Sequence, residues 1–376
     1  MSANDDQGIL RSATNASLEF SGEWLMCTNA TNSSPTPPAI TLAPISVVVI
    51  SVMLEVLMIP LILLGNGAVV LLVLKNEALR TITNAFMVSL AMADTIQGLT
   101  LVLVIVGTLN PVAFNDQYIM CLTLWCTLLL ASGCSCLSLF SVTVDRYVKV
   151  MHPLTYQQII NKTVAATATA IVWIYTFLLA FVLPFSGLNQ IKDTPDFSCL
   201  DFTSVFNPVH IQIVVVTNGI LPFILMCLMY FRLLMVVLEK LKAECGRNGG
   251  TMMAGRWLFM KRELHSVKTF VILLGFTGLA WLPFTTIVLL EVHTSYRASL
   301  TLRCVFSWLT FLNSAVNPVV YTIRSEPFRR AASKTCAYRL VRRCCSVCKR
   351  KPKITPLNTS RLLITVQKSV ANGPPV

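Results

Sequence analysis

Seven long apolar runs, roughly residues 43–74, 82–108, 118–150, 161–186, 209–238, 264–292 and 300–322, leave this chain few ways to fold. Each exceeds the ~20 residues that carry an α-helix across a bilayer, with length to spare for tilt or for turns in water. In lipid the backbone must satisfy its own hydrogen bonds, so helices and closed barrels are the choices. The runs do not alternate as barrel strands do, which leaves helices. Pro60, Pro222, Pro283 and Pro318 fall inside runs, where a soluble helix would break but a membrane helix finds neighbours for the freed carbonyls. Only 12% of the 376 residues are charged, about half the share of a soluble domain.

With these spans, 75–81, 151–160, 239–263 and 323–376 share one side. They hold Lys75, Arg80, Lys240, Lys242, Arg247, Arg256, Lys261, Arg262 and the basic tail. The other side holds Arg11, Lys192, Arg297 and Arg303. The basic side is expected in the cytoplasm and the N-terminus outside. The expected layout is an extracellular segment 1–42, a seven-helix bundle 43–322, an amphipathic helix 323–336 and a cytoplasmic tail 337–376. The net charge of +13 then belongs to a face that meets anionic lipid and an intracellular partner, not nucleic acid. Asn15, Asn29 and Asn32 open glycosylation triplets in the outer segment. Residues 1–20 are polar, so the first span is expected to act as an uncleaved insertion signal.

The third run closes on "SVTVDRYVKVMHPLTY". Arg146 stands at the cytoplasmic end of its span, where Asp145 can hold the guanidinium in a charge-assisted pair. Glu263, at the start of span six, is a second candidate partner. Two readings follow: a latch that frees Arg146 when it breaks, or an interfacial anchor that snorkels to headgroups.

Other spans carry their own marks. Asn66 follows Gly65 in span one, Asp94 lies in "SLAMAD", Trp173 sits mid-span four, and Pro222 precedes Tyr230 in span five. Span six has "AWLPF", with Trp281, and span seven "NSAVNPVVY", with Asn317, Pro318 and Tyr321. In this order the residues resemble those of the rhodopsin-like (class A) G-protein-coupled receptors over about residues 43–336. The resemblance implies an all-α membrane protein, a seven-transmembrane bundle with a short amphipathic eighth helix, in the plasma membrane. It implies that Asp145, Arg146, Tyr147 and Leu154, with Tyr230, Glu263, Asn317, Pro318 and Tyr321, form the switch and the coupling surface. The implied partners are a heterotrimeric G protein, arrestin and receptor kinases, a small-molecule ligand and membrane lipid.

Asp94, Asn66 and Asn317 are costly in lipid and must face inward and find one another. Ser135, Asn313 and Ser314 add oxygens. Such a ring suits a hard cation, and in the resembled family the pocket holds a sodium ion that favours the inactive state. A protonated Asp94 in a plain hydrogen-bond network is the other reading. No cofactor is otherwise required.

Cys121 and Cys199 both face the oxidising side, where a disulfide persists. The resemblance implies that they are paired. Cys27 and Cys304 are a further candidate pair. Cys126, Cys134, Cys136 and Cys227 read as small apolar packers. Cys336, Cys344 and Cys345, past "SEPFRRAASKTCAYRL", are palmitoylation candidates, with free thiols or a Cys345-x-x-Cys348 metal pair as alternatives.

For the ligand, Leu128 stands where amine receptors of the family carry an Asp, which argues against a biogenic amine. The neighbouring positions that the resemblance implies are Leu129, Ser132, Val214, Val215 and Asn218, then Trp281, Phe284, Thr285 and Val288, then Ser307 and Phe311. They suit a neutral or lipid-like small ligand oriented by few hydrogen bonds. Glu55, in the outer half of span one, is similar to adenosine receptors, and either joins the ligand site, caps a water network or pairs with span seven. Val288 and Phe311, however, replace the Asn and His that adenosine receptors use. Thr277, Cys136 and Ala280 are smaller than the family's usual residues around Trp281, which predicts a loosened switch and raised basal activity. A transporter lacks its repeat here. An intramembrane enzyme lacks paired catalytic groups: the four His lie near the two faces and Asp94 has no second carboxylate beside it.

Overall fold

Four of the long helices start where a side chain takes up a free backbone N–H. Thr81, Asn161, Asn207 and Ser299 accept from the N–H of Asn84, Val164, Val209 and Leu302, at 3.3, 2.9, 2.9 and 3.4 Å. Pro208 follows Asn207 at the first helical position, where its missing N–H costs nothing. The computed structural model describes residues 26–28, 40–42, 45–110, 117–189, 199, 201–246 and 254–333. For 26–28, 40–42, 240–246, 254–266, 300, 323–324 and 326 the description is of the backbone alone.

The helices are α1 (Ile45–Lys75), α2 (Ile82–Leu109), α3 (Tyr118–Met151), α4 (Lys162–Leu188), α5 (Pro208–Val214, Val215–Ile220 and Leu221–Gly246), α6 (Ala254–His293), α7 (Leu300–Arg324) and α8 (Glu326–Ser333). Single turns at Glu77–Leu79, Tyr156–Ile159 and Phe202–Val205 link them. Two short antiparallel strands, β1 (Met26–Thr28) and β2 (Ile40–Leu42), pair Cys27 with Thr41; nothing in the sequence pattern announced them.

The helices α1 to α6 are long and apolar enough to cross a membrane, and the protein is a multi-pass membrane protein. α7 is the more polar seventh, with Arg303, Ser307, Thr310, Asn313, Ser314 and Asn317 along it. α5 and α6 run past the expected ends at 238 and 264, to Gly246 and from Ala254. The apolar runs stop at charged residues, but Glu, Lys, Leu and Ala keep helix propensity high beyond the lipid.

Burial is inverted relative to a soluble bundle. On α1 the inner stripe is Ser51, Glu55, Met58, Ile62, Asn66, Val69 and Val73, spaced by three or four. Val49, Met53, Leu57, Leu61 and Leu64 face outward. The polar residues point in because nothing in hydrocarbon can satisfy them.

α3 runs through the middle, against α2, α4, α5 and α6, while α1 meets both α2 and α7 and closes the ring. Pro184 opens the second of two π-helical stretches in α4, Leu178–Val182 and Pro184–Leu188, and Pro222 follows the stretch Val215–Ile220 in α5. A proline ring clashes with the carbonyl four residues back, and a wider turn relieves the clash. Gly187, with φ of 84°, ends α4 in a conformation that other residues rarely adopt.

Candidate functional site

Three polar assemblies sit along the axis of the bundle. At one end, Asp145 is fully buried and its carboxylate takes two hydroxyl donors. Thr83 on α2 donates to Oδ2 at 2.5 Å, and Tyr156 donates to Oδ1 at 2.6 Å. Arg146 Nη2 donates to the same Thr83 hydroxyl, so Thr83 relays between the two charges. The direct ion pair is looser, Arg146 Nε to Asp145 Oδ2 at 3.6 Å. The guanidinium also lies over the Phe270 ring of α6, 5.8 Å from its centroid. Tyr147 is half-buried, Leu154 is 96% exposed on the turn after α3, and Tyr230 is buried. Tyr321 is buried with its ring 6.5 Å from Phe328 of α8, and a Cβ on Gly65 would meet Pro318 at 3.1 Å. The side chain of Glu263 lies outside the described residues.

Mid-bundle, Asp94 is completely buried. Ser135 and Ser314 hydroxyls stand 3.0 and 2.9 Å from its Oδ1, and Asn317 Nδ2 donates to Oδ2 at 2.9 Å. Ser314 Oγ is also 3.0 Å from Gln97 Oε1, and its carbonyl accepts from Asn66 Nδ2 at 3.0 Å. Asn66 Oδ1 is buried without a hydrogen-bond partner. Asn313 does not join this ring: its Oδ1 accepts from Thr277 at 3.1 Å. Thr277 therefore is not simply a missing aromatic ring; its hydroxyl ties α6 to α7.

At the other end Cys121 and Cys199 are joined in a disulfide. Trp125 Nε1 donates to the Cys199 carbonyl at 2.7 Å, and its ring lies 5.3 Å from that of Phe202. Arg303 of α7 bridges Asp201 and Glu291, each at 2.8 Å. Cys304 is a free thiol, so the candidate pair with Cys27 is not bridged; α7 is attached here through the neighbouring arginine.

The expected ligand positions fall into two apolar clusters. Leu129, Val215, Phe284 and Val288 pack with Leu122, Cys126, Phe202, Val205 and Phe206. Leu128 and Phe311 pack instead with Met58, Ile62, Leu101 and Trp308, between α1, α2 and α7. Trp281 meets Phe284 edge-on at 6.3 Å. Ser132 and Thr285 hydroxyls donate to their own helices, to Leu129 O at 3.2 Å and to Trp281 O at 3.0 Å. Ser307 is half-buried and its carbonyl accepts from Thr310. Val214 and Asn218 are buried on α5; the Asn218 amide lies against Gly133 of α3, where a Cβ would meet it at 2.9 Å. Glu55 is buried on α1. Asn15, Asn29, Asn32, Cys336, Cys344 and Cys345 lie outside the described residues.

Sequence reasoning missed Thr83, Tyr156, Phe270, Gln97 and the Asp201–Arg303–Glu291 set. Tyr156 and Glu291 had a signal, the one inside the quoted motif and the other a charge near the end of an apolar run. Thr83 and Phe270 had none, being ordinary residues for a membrane helix.

The chain matches the family described as 7 transmembrane receptor (rhodopsin family) over residues 65–321. The adenosine receptor A2b of Mus musculus is 29% identical over 303 residues, 75% of this chain and 88% of the relative. That of Canis lupus familiaris is 30% identical over 298 residues, 74% and 86%. That of Homo sapiens is 28% identical over 298 residues, 74% and 87%.

Proposed function

Since the chain belongs to the rhodopsin family of seven-transmembrane receptors, a G-protein-coupled receptor and not an enzyme, we propose that it passes an external chemical signal to a heterotrimeric G protein by moving α6 away from α3. The observation that carries this reading is how Arg146 is held. Its hydrogen bond and ion pair run to α2 and α3, and it meets α6 through the face of Phe270. A cation–π contact of this kind costs about 0.5–1 kcal/mol to give up at an accessible site. That lies within reach of a ligand that binds one state modestly better than the other. Glu263, at the same end of α6, is a further candidate brake.

In this reading the disulfide end faces outside, with Asn15, Asn29 and Asn32 glycosylated. The Arg146 end faces the cytoplasm of a cell whose plasma membrane holds the receptor. Cys336, Cys344 and Cys345 are acylation sites, and arrestin and receptor kinases act on the same face. The excess of Lys and Arg on that side supports the orientation.

The ligand is a neutral or lipid-like small molecule, because the cluster of Leu129, Val215, Phe284 and Val288 offers apolar surface and few free polar atoms. A second reading is adenosine, favoured by the names of the relatives. Against it stand Val288 and Phe311, both apolar and buried. Guanine-nucleotide exchange on added G proteins, screened with a lipid and a nucleoside library, tests both. A lipid hit with no nucleoside response supports the first reading, adenosine stimulation supports the second, and silence in every G-protein arm removes both.

Asp94, Ser135 and Ser314 present a carboxylate and two hydroxyls, oxygen donors that suit a small hard monovalent cation. We assign them, with Asn313 and Asn317 nearby, as an allosteric sodium site. Raising sodium against a choline control is then expected to lower basal exchange in the wild type and to do little in Asp94→Asn. A wild type indifferent to sodium would leave only the hydrogen-bond network.

A further inference from the structure

Most threonines inside these helices satisfy themselves. Thr95, Thr100, Thr169, Thr217, Thr286 and Thr322 each donate to the carbonyl four residues back on their own helix. Thr277 does otherwise. It is 5% exposed in the middle of α6, and its hydroxyl crosses to Asn313 Oδ1 of α7 at 3.1 Å. Asn313 is 6% exposed, so little water competes for the bond.

The next residue, Gly278, faces α5 instead: a Cβ there would come within 2.6 Å of the Phe223 ring. The small pair Thr277 and Gly278 thus seats α6 between a ring from α5 and an amide from α7. About two turns earlier on α6, Phe270 lies under the Arg146 guanidinium. That contact is a ring face, whereas the contact at Thr277 is a directional bond. The bond also has a ready alternative. A turn of the Thr277 side chain to its other helical rotamer brings the hydroxyl to the Leu273 carbonyl, four residues back, the kind of partner that the other threonines use. The hydroxyl is paired in either position, so parting α6 from α7 orphans no buried donor. Asn313, for its part, is next in sequence to Ser314 of the Asp94 ring and is not stranded in hydrocarbon.

We propose that Thr277 is a two-position catch on α6: donating to Asn313 it pins α6 to α7, and donating to the Leu273 carbonyl it lets α6 go. Thr277 is then a positioning residue for the movement of α6, and the bond offsets the loosening that its small side chain predicts. The proposal rests on the receptor reading for what the released helix does next; the pinning itself is tested with neither a ligand nor a G protein.

Hydrogen–deuterium exchange of the full-length receptor in nanodiscs, in choline buffer without sodium, reads the α6 amides over 267–276 by mass spectrometry. Thr277→Val keeps the branched shape and drops the hydroxyl, and Thr277→Ser keeps the hydroxyl. Thr277→Val is expected to speed deuterium uptake over 267–276 about three- to tenfold, the range for loss of one hydrogen bond, with uptake in α1 unchanged. Thr277→Ser should stay at the wild-type rate. Asn313→Ala should match Thr277→Val, and the double variant should be no faster than either single, since both remove one bond. Basal nucleotide exchange on a panel of added G proteins should rise by the same factor in Thr277→Val and not in Thr277→Ser. Faster α6 uptake without that rise keeps the catch and counts against the receptor reading. Should Thr277→Val fail to fold, Asn313→Ala set against Thr277→Ser still decides. Unchanged α6 uptake in Thr277→Val, equal speeding by Thr277→Ser, additive gains in the double variant, or α1 and α6 rising together, overturns the catch.

Discussion

Replacing Arg146 with alanine is expected to cut nucleotide exchange on an added G protein at least about tenfold, with the receptor still folded. Tenfold corresponds to about 1.4 kcal/mol, within the range for one charge-assisted hydrogen bond to a partner. Folding should survive because the buried Asp145 keeps two donors, Thr83 and Tyr156. Asp145→Asn should act in the opposite direction. It removes the negative charge that Thr83 and Tyr156 stabilise and that holds Arg146 from 3.6 Å, so basal exchange should rise severalfold. Exchange assays on membranes with matched receptor amounts check both. Normal signalling from Arg146→Ala together with an unchanged basal rate in Asp145→Asn would leave Arg146 as an interfacial anchor and nothing more.

Loss of the disulfide carries the other large effect. Cys121 and Cys199 are 78 residues apart in sequence, and opening such a loop releases several kcal/mol of chain entropy to the unfolded state, about 2–5 in practice. It also frees Cys199, whose carbonyl holds Trp125 and whose neighbour Asp201 meets Arg303. Cys121→Ala and Cys199→Ala should each remove most receptor from the cell surface and lower the melting temperature. The double variant should be no worse than either single, since both remove one bond. Additive losses, read by flow cytometry and thermal unfolding, would mean that the thiols act separately.

Much of this was legible because lipid is an unforgiving solvent. Runs of apolar residues marked α1 to α4 nearly to their ends and stopped eight and ten residues short of the end of α5 and the start of α6, and the cost of a carboxylate in hydrocarbon pointed Asp94 inward. α7, expected at 300–322 and found at Leu300–Arg324, was marked as closely, although it carries the polar half of the mid-bundle network. What stayed hidden were partners far along the chain. Thr83 meets Asp145 and Arg146 across 62 and 63 residues, and no local pattern marks it among so many threonines. Asn313 was expected to face Asp94 and bonds to Thr277, because a one-turn difference on α7 decides which neighbour an amide meets. Thr277 was read as a loss of bulk, and its hydroxyl proved to be a link between helices. Arg303 was counted only as a charge outside the membrane, while its value lies in the two acids that two other segments bring to it.

The π-helical stretch Val215–Ile220 has a consequence for anyone transferring knowledge between relatives. A π turn closes one residue later than an α turn and so absorbs an extra position. Counted back from Pro222, everything on Pro208–Val214 is displaced by one against a template whose fifth helix is unbroken. Such a template would put Val215 where this chain puts Val214, and Val214 where it puts Ile213. Val214 is 6% exposed and Ile213 39%, so the slip would exchange an inward position for a lipid-facing one. At 28–30% identity the alignment score hardly registers one shifted residue, and ligand docking on that template would be working against the wrong wall.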